Sequence, residues 1–217
     1  MPDTRSQWTK SDGAALGTAL AVSLAFVLPV LYRGWVPFDE GWIIEQAQRV
    51  QAGQLPHRDF DDLWTGGWSI IHAGLFSLFG PSMALMRTVI LLAWIAGLAA
   101  LFAVVRPRVG RGLAGVAVVT AGLWTLWAWQ FPLLNWFYFP GALGAGLAVR
   151  RHRDTGRARW LVVAGASAGA LFVLKLTGLF LLAALLLWAL ARAAAEARKT
   201  PMPTGARGDA RWAALLP

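Results

Sequence analysis

The chain has 217 residues, of which 57% are hydrophobic and 14% charged; its net charge is +9 and it has no cysteine. Soluble domains carry about 25% charged residues, so the composition predicts a membrane protein. Without cysteine there is neither a disulfide framework nor a thiolate metal site. The basic residues stand in short segments between apolar runs, which favours cytoplasmic anchoring of a membrane protein over binding to nucleic acid.

The apolar runs predict an all-α polytopic membrane protein with about six transmembrane helices. The first helix is predicted over 14–31, and the basic residues before it place the N-terminus in the cytoplasm. Further helices are predicted at 83–105, 113–129, 133–149, 160–174 and 179–192. The last two are separated by a break at Lys175-Leu176-Thr177-Gly178, because one helix over the whole run would be too long for a single crossing.

The apolar run 64–79 is predicted not to span the membrane. Its sixteen residues would rise about 24 Å as a helix, which is less than the roughly 30 Å of a bilayer core. Without this crossing, the arginine clusters at 106–111 and 150–159 both fall on the cytoplasmic side, as the positive-inside rule requires. The run is therefore interpreted as a re-entrant or interfacial helix.

The long external first loop, 33–65, is the main polar segment between apolar ones. Six of the 11 acidic residues lie in it: Asp39, Glu40, Glu45, Asp59, Asp61 and Asp62. An amphipathic helix is predicted over 39–52, lying on the outer membrane surface and ending at Gly53. The segment 55–59 is predicted to be extended, because a residue that precedes proline avoids the helical region.

The ordered features resemble the GT-C-type membrane glycosyltransferases, in the branch of the bacterial protein O-mannosyltransferases and aminoarabinose transferases. Asp39-Glu40-Gly41 follows the first helix, where that class carries an acidic pair. The segment 53–60, Gly-Gln-Leu-Pro-His-Arg-Asp-Phe, is similar to a Gly-x-x-Pro-Tyr-Arg-Asp-Phe pattern. The segment 75–82 with the later Arg87, and the turn 175–178, resemble further family features. Thr65-Gly66 departs from the family, which has a Pro-Pro pair there.

The resemblance implies a GT-C-like fold and transfer of a hexosyl or pentosyl group with inversion. The donor would be a polyprenyl-phosphate sugar and the acceptor a glycan, lipid or protein at the outer face of the bacterial inner membrane. Residues 1–192 would be the N-terminal part of a GT-C-like transmembrane domain. Residues 193–217 would be a basic cytoplasmic tail, either disordered or the start of a further helix, so the chain is either a fragment inactive alone or a short homologue. The alternatives are a non-catalytic polytopic subunit and a lipid or sugar transporter.

Three polar residues are candidates for catalysis and for positioning the acceptor. Asp39 is the candidate general base, since a site at the membrane surface can raise the pKa of a carboxylate. Glu40 points elsewhere on a helix and could position the acceptor or pair with a cation. Asn135 could donate a hydrogen bond to a sugar. The alternative for the acidic pair is that both carboxylates simply begin a helix, where they favour its dipole.

Arg58, Arg87 and Lys175 are the candidate ligands of the donor phosphate. Lys175 interrupts a 31-residue apolar run, and a lysine in such a run is a functional candidate by default. The alternatives are that Lys175 reaches the lipid headgroups and that Arg87 anchors a helix end there. A divalent metal ion is the one cofactor considered, with Asp59, Asp61 and Asp62 as candidate ligands. A solvated acidic turn is the alternative for these three.

Overall fold

The computed structural model describes residues 8–34, 40–125 and 135–198, and these form an all-helical structure without strands. The helices are α1 (Lys10–Leu31), α2 (Trp42–Gln51), α3 (Gly67–Phe79), α4 (Met83–Trp124), α5 (Asn135–Thr155), α6 (Arg159–Leu174) and α7 (Gly178–Ala197). The fold is therefore all-α, as the sequence predicts.

Helix α1 begins four residues earlier than predicted because a capping box starts it. The Thr9 side chain accepts a hydrogen bond from the Asp12 backbone, and the Asp12 carboxylate accepts from the Thr9 backbone N–H at 2.8 Å. This reciprocal pair satisfies backbone donors that a helix start otherwise leaves unpaired. The Asp12 side chain is also within 2.6 Å of the Arg106 guanidinium, which joins the start of α1 to α4.

Helix α4 is a hairpin of two antiparallel halves. Its 42 residues are interrupted at Gly110, whose φ of 82° and ψ of 167° are not helical. The second half returns along the first, so that the Trp94 indole donates to the Thr125 hydroxyl at 2.9 Å. Both halves pack on α1 through one buried apolar cluster. The reversal lies where the sequence predicts one, between 105 and 113, beside Arg106, Arg108 and Arg111.

Gly122 shows how closely α1 and the second half of α4 approach each other. A Cβ atom added to Gly122 would lie 2.6 Å from the Ser23 hydroxyl and 3.3 Å from the Trp94 ring. Small residues permit such contacts between helices in lipid, where dispersion forces replace the hydrophobic effect. The close packing thus explains why a glycine stands at position 122.

The two arginine clusters meet at one end of the bundle. Arg108, from the α4 turn, lines the same cleft as Arg150 and Arg153 from the end of α5. Arg111 also donates to the Ser11 hydroxyl at 3.1 Å, so the start of α1 is at this end too. We call it the basic end; it comprises residues 8–12, 106–111 and 150–159.

The predicted break between α6 and α7 is present. Helix α6 ends at Leu174, and Lys175 takes an extended conformation with φ −160° and ψ 138°. The Tyr138 hydroxyl lies 2.7 Å from the Lys175 carbonyl oxygen and 3.0 Å from the Leu171 carbonyl oxygen. It thus hydrogen-bonds to backbone carbonyls at the point where the hydrogen bonds of helix α6 end. Helix α7 continues to Ala197, five residues beyond the predicted end at 192.

Three helices, α1, α4 and α7, are long and apolar enough to cross a membrane. Helices α3 and α6 are apolar but have only 13 and 16 residues. The described residues therefore support a membrane protein with three such helices, one of which, α4, consists of two antiparallel halves. The further crossings expected at 133–149 and 160–174 stay predictions. Helix α7 is hardly covered by the rest of the chain, with Phe180, Leu186 and Leu187 more than 60% exposed. Apolar side chains exposed to this extent are suited to contact with the lipid bilayer.

Candidate functional site

A polar cap lies at the end of the bundle opposite the basic end. The cap comprises residues 40–82, with α2, the connecting loop and α3. Its inner face is apolar: Ile43, Trp68 and Phe76 pack with Met86 at the start of α4 and with Leu171 near the end of α6. The cap is thus anchored by apolar burial, and its polar residues lie around that anchor.

The buried ion pair between Glu40 and Arg87 joins the cap to α4. The two carboxylate oxygens of Glu40 accept from Nε and Nη2 of Arg87 at 2.7 and 2.9 Å, a bidentate pair with both side chains at most 5% exposed. Arg87 also donates to the carbonyls of Leu31 and Gly34 at 2.9 Å and of Arg33 at 3.5 Å. A guanidinium has five N–H donors. These five bonds engage all of them.

A second buried polar group holds α2, the loop and α3 together. The Ser69 hydroxyl lies 2.6 Å from the Asp62 carboxylate and 3.1 Å from the side-chain oxygen of Gln46. Gln46 donates to the Asp61 carbonyl at 3.1 Å, and the other oxygen of Asp62 accepts from the Trp64 backbone at 2.8 Å. Buried polar groups need such partners to offset the lost hydration. The group therefore fixes the path of the loop.

The segment 55–59 is a closed turn, which corrects the prediction that it is extended. The Asp59 carboxylate accepts from the Leu55 backbone at 2.8 Å and from the neighbouring Arg58 at 2.7 Å, and His57 has a positive φ of 62°. Hydrogen bonds from Arg58 and from the Leu55 backbone lower the pKa of Asp59. The sequence rule for residues before proline takes no account of the Asp59 carboxylate, which closes the turn.

An open groove of about 640 Å³ lies between this loop and the α6–α7 break. His57, Trp64 and Thr65 line it from the loop, and Lys175 lines it from the break. The Lys175 ammonium lies 4.5 Å from the centre of the Trp64 ring, within the range of a cation–π contact. The remaining walls are mainly apolar and come from Leu63, Phe172, Val173 and Leu176. We call this the lysine groove.

One contact holds the loop against α6 beside the lysine groove, and one close approach lies within the loop itself. The Thr65 hydroxyl donates to the Val173 carbonyl. Gly66 has φ +82°, and a Cβ atom added there would lie 2.7 Å from the Pro56 ring. Thr65-Gly66 is the pair that departs from the family pattern, and here it supplies a hydroxyl and a left-handed glycine that two prolines could not.

The predicted site residues fall into separate groups. Lys175 lines the lysine groove, Arg58 is exposed on the adjacent turn, and Arg87 is engaged with Glu40. Asp39 and the side chain of Asn135 lie outside the described residues. The structure therefore brings one predicted cation to a groove and assigns another to an ion pair.

The three candidate metal ligands do not converge. Asp59 binds Arg58 and the Leu55 backbone, Asp62 binds Ser69 and the Trp64 backbone, and the Asp61 residue is exposed. Across residues 8–34, 40–125 and 135–198 no group of three or more His, Asp or Glu is arranged to hold a metal ion. The hydrogen bonds of Asp59 and Asp62 account for the presence of a carboxylate at each of these positions.

His72 is a buried polar residue whose role the sequence does not reveal. Its Nδ1 lies 3.1 Å from the Trp68 carbonyl oxygen, and its ring is in edge contact with Trp68 and Phe76. Burial lowers its pKa to about 4, so the imidazole is neutral at pH 7. Nδ1 then carries the proton donated to Trp68. The one signal in the sequence is a histidine inside an apolar run.

Comparison of the chain with protein-family models, with curated proteins and with solved structures gave no match.

Proposed function

We propose that this chain is a membrane glycosyltransferase of the GT-C type, which transfers a sugar from a polyprenyl-phosphate donor to an acceptor. The observation that carries the proposal is the lysine groove. It combines one cation at a helix break with mainly apolar walls at the surface of an apolar bundle. A lipid phosphate needs both features, because its charge requires a counter-charge and its chain requires an apolar path.

The donor would enter the lysine groove with its phosphate opposite Lys175. Its hydrocarbon chain would follow Phe172, Val173 and Leu176 toward the surrounding lipid. The Trp64 ring holds the ammonium at 4.5 Å and so limits the positions that the lysine can take. Positioning of this kind lowers the entropic cost of binding the transition state.

The reaction would be a single displacement with inversion. An acceptor hydroxyl oxygen forms a bond to the anomeric carbon of the sugar, and its proton passes to the carboxylate of Asp39. The bond between the anomeric carbon and the phosphate oxygen breaks, and polyprenyl phosphate leaves with the electron pair. The charge that develops on this leaving group is the charge that Lys175 would stabilise. No metal ion is required for this balance.

The roles of Glu40 and Arg87 follow from their ion pair. All five N–H groups of Arg87 are engaged, so we reassign Arg87 from a phosphate ligand to a positioning residue. Glu40 is likewise reassigned from the acceptor to Arg87. The pair fixes residues on both sides of Asp39, since its partners include Gly34 before it and Glu40 after it. Arg58 keeps its proposed phosphate role, at the exposed edge of the turn.

The proposed setting is the bacterial inner membrane, with the N-terminus in the cytoplasm and the cap outside. Support comes from the basic end, where the start of α1 and both arginine clusters lie together. The positive-inside rule places such an end in the cytoplasm. The acceptor would then be a glycan, lipid or protein outside it.

Binding of fluorescent polyprenyl phosphate to the full chain in neutral micelles tests the lysine groove without knowledge of the sugar. We expect Lys175→Ala to weaken binding about tenfold and Lys175→Arg to retain part of it, because the counter-charge in the groove is lost in the first and moved in the second. Arg192→Ala is the matched control: it removes a cation that pairs with Glu196 farther along α7. Equal binding by wild type and Lys175→Ala would refute the groove as the donor site.

Transfer from a labelled undecaprenyl-phosphate hexose, in membranes of matched expression, tests the chemistry. We expect Asp39→Asn to reduce transfer by a factor of about 10²–10⁴, the usual contribution of a general base. Its binding of polyprenyl phosphate should stay unchanged. Wild-type transfer by this variant would remove Asp39 from the mechanism. Lysine-dependent binding without any transfer by the wild type would instead support the non-catalytic subunit.

A further inference from the structure

The basic end contains a second cleft, separate from the cap and from the lysine groove. It has a volume of about 570 Å³ and lies between the first half of α4 and roughly the last four turns of α5. Arg108, Arg150, Arg153 and Asp154 are its charged residues, which leaves a net positive charge. We call it the basic cleft. None of its residues takes part in the proposed transfer.

Both walls of the basic cleft change from apolar to charged in the same direction. On α4, Val104 is followed one turn later by Arg108, and on α5, Leu143 and Leu147 are followed by Arg150. Residues three or four positions apart share one face of a helix. Each wall therefore offers an apolar stretch on the bundle side and arginine toward the end of the bundle.

The positive charge of the arginines in the basic cleft is little compensated by acidic residues of the described chain. In the described part of the chain Arg150 alone among the three forms an ion pair, a 3.9 Å contact with the exposed Asp154. Exposed pairs of that kind hold their partners weakly. Arg108 directs Nη1 to the Val104 carbonyl at 2.8 Å, which keeps its guanidinium folded back along the cleft wall. The cleft thus presents positive charge beside half-buried apolar side chains.

We propose that the basic cleft binds one anionic phospholipid, with its phosphate at Arg108 and Arg153 and an acyl chain along Leu143 and Leu147. Basic pockets between transmembrane helices on the cytoplasmic side suit anionic headgroups. The matching direction of polarity on the two walls distinguishes this site from a merely basic surface. The proposal does not depend on glycosyl transfer.

The chain offers a substitution that fills the basic cleft without changing its charge. Gly146 lines the cleft, and a Cβ atom added there would meet no heavy atom within 4 Å. Gly146→Leu should therefore fold and occupy the acyl path. Gly144→Leu is the matched control, because Gly144 lies on the same helix with equal free space but does not line the cleft.

A second matched pair of variants removes charge. Arg108→Gln with Arg153→Gln takes two exposed arginines from the basic cleft. Arg151→Gln with Arg157→Gln takes two exposed arginines from the same end but outside the cleft. The two double variants have equal net charge, so general attraction to an anionic surface cancels between them.

The full chain is placed in nanodiscs of phosphatidylcholine with one fifth phosphatidylglycerol, and the lipids retained after release are counted by native mass spectrometry. We expect one retained phosphatidylglycerol on the wild type and on both controls. Gly146→Leu and the Arg108/Arg153 double variant should retain at least fivefold less. Glycerol phosphate and inorganic phosphate at millimolar concentration should not displace the lipid.

Three results would overturn the proposal. Equal loss in the two double variants would show surface attraction rather than a site. Full retention by Gly146→Leu would remove the acyl path. Displacement by inorganic phosphate would show that the cleft binds a free anion and not a lipid.

Discussion

Arg87 and Arg106 both lie on the first half of α4, and each forms a buried ion pair, with Glu40 and with Asp12 respectively. The two arginines are 19 positions apart. That separation corresponds to about 28 Å along a helix, close to the thickness of a bilayer core. The pairs therefore bracket the apolar belt of α4, one at the cap and one at the basic end.

The two pairs differ in what they hold. The partners of Arg87 are Glu40 and three carbonyls at the end of α1 and just after it, so this arginine connects α4 to the chain on both sides of Asp39. The partner of Arg106 is an acid already engaged in the capping box of α1, and the guanidinium lies 5.5 Å from the centre of the Trp8 ring. The first pair organises a loop, whereas the second joins two helix ends.

Arg87→Leu should have the largest effect. It leaves Glu40 as a buried carboxylate without its cation, and breaking a buried pair in this way costs about 3–5 kcal/mol. We expect a corresponding loss of stability in micelles together with loss of polyprenyl phosphate binding. Glu40→Gln combined with Arg87→Leu should recover part of the stability, because the orphaned charge is gone. Additive losses in a double-mutant cycle would show that the two residues are not coupled.

Arg106→Gln should destabilise the chain less than Arg87→Leu does. Asp12 keeps its hydrogen bonds from the Thr9 backbone and hydroxyl, so its charge stays partly compensated. Thermal unfolding should move to lower temperature, while polyprenyl phosphate binding by the folded protein stays at the wild-type level. Loss of binding at a temperature where the variant is fully folded would contradict the separation of the two ends.

Acid should weaken the cap through His72. The pKa of His72 is lowered by burial to about 4, whereas an unfolded histidine titrates near 6.5. The unfolded chain therefore binds this proton first, and stability is lost as the pH falls from 6.5 toward 4. Between pH 7 and pH 5 the loss is about 2 kcal/mol. The contribution of His72 is isolated by measuring the free energy of unfolding of wild type and of His72→Phe at both pH values. If the difference between the two proteins does not change with pH, His72 is not a neutral buried imidazole.

Local patterns in the sequence were enough to predict the helix breaks and much of the charge distribution. The predicted gap between 105 and 113 and the predicted break at Lys175 both correspond to helix interruptions in the structure, the first of them at Gly110. The partner of Arg87 could not be predicted, because Glu40 is 47 positions away and nothing local distinguishes an ion pair from a phosphate ligand. The same limit applies to Asp62. Its hydrogen bond from Ser69 depends on how α3 packs, so the sequence alone does not distinguish this role from that of a metal ligand.

The capping box shows a different limit. Thr9 and Asp12 have the correct spacing for it, but the prediction relied on hydropathy and placed the start of α1 at 14. The start of a helix depends on a few capping residues, and averaging hydropathy over a window hides their contribution. The number of crossings stays a prediction beyond α1, α4 and α7, which are long and apolar enough to span a membrane.

Arg58→Ala should have the smallest effect on stability and is therefore the sharpest probe of function in the cap. The Arg58 side chain is 64% exposed, and within residues 8–34, 40–125 and 135–198 its one ion pair is with the adjacent Asp59. Exposed pairs contribute little to stability. Asp59 would still accept from the Leu55 backbone, so the turn should persist. The unfolding midpoint should then match wild type, and the pKa of Asp59 should rise toward its ordinary value because its largest lowering contact is removed. If Arg58 contacts the donor phosphate, binding of polyprenyl phosphate should weaken, and increasingly so at low salt, where an exposed charge acts most strongly.

Glu45→Ala is the control, since it removes an exposed charge of another cap pair, with Arg49. Arg87 cannot answer this question, because its loss removes structure and binding together. Unchanged binding by Arg58→Ala at all salt concentrations would leave Lys175 as the proposed cation for the phosphate.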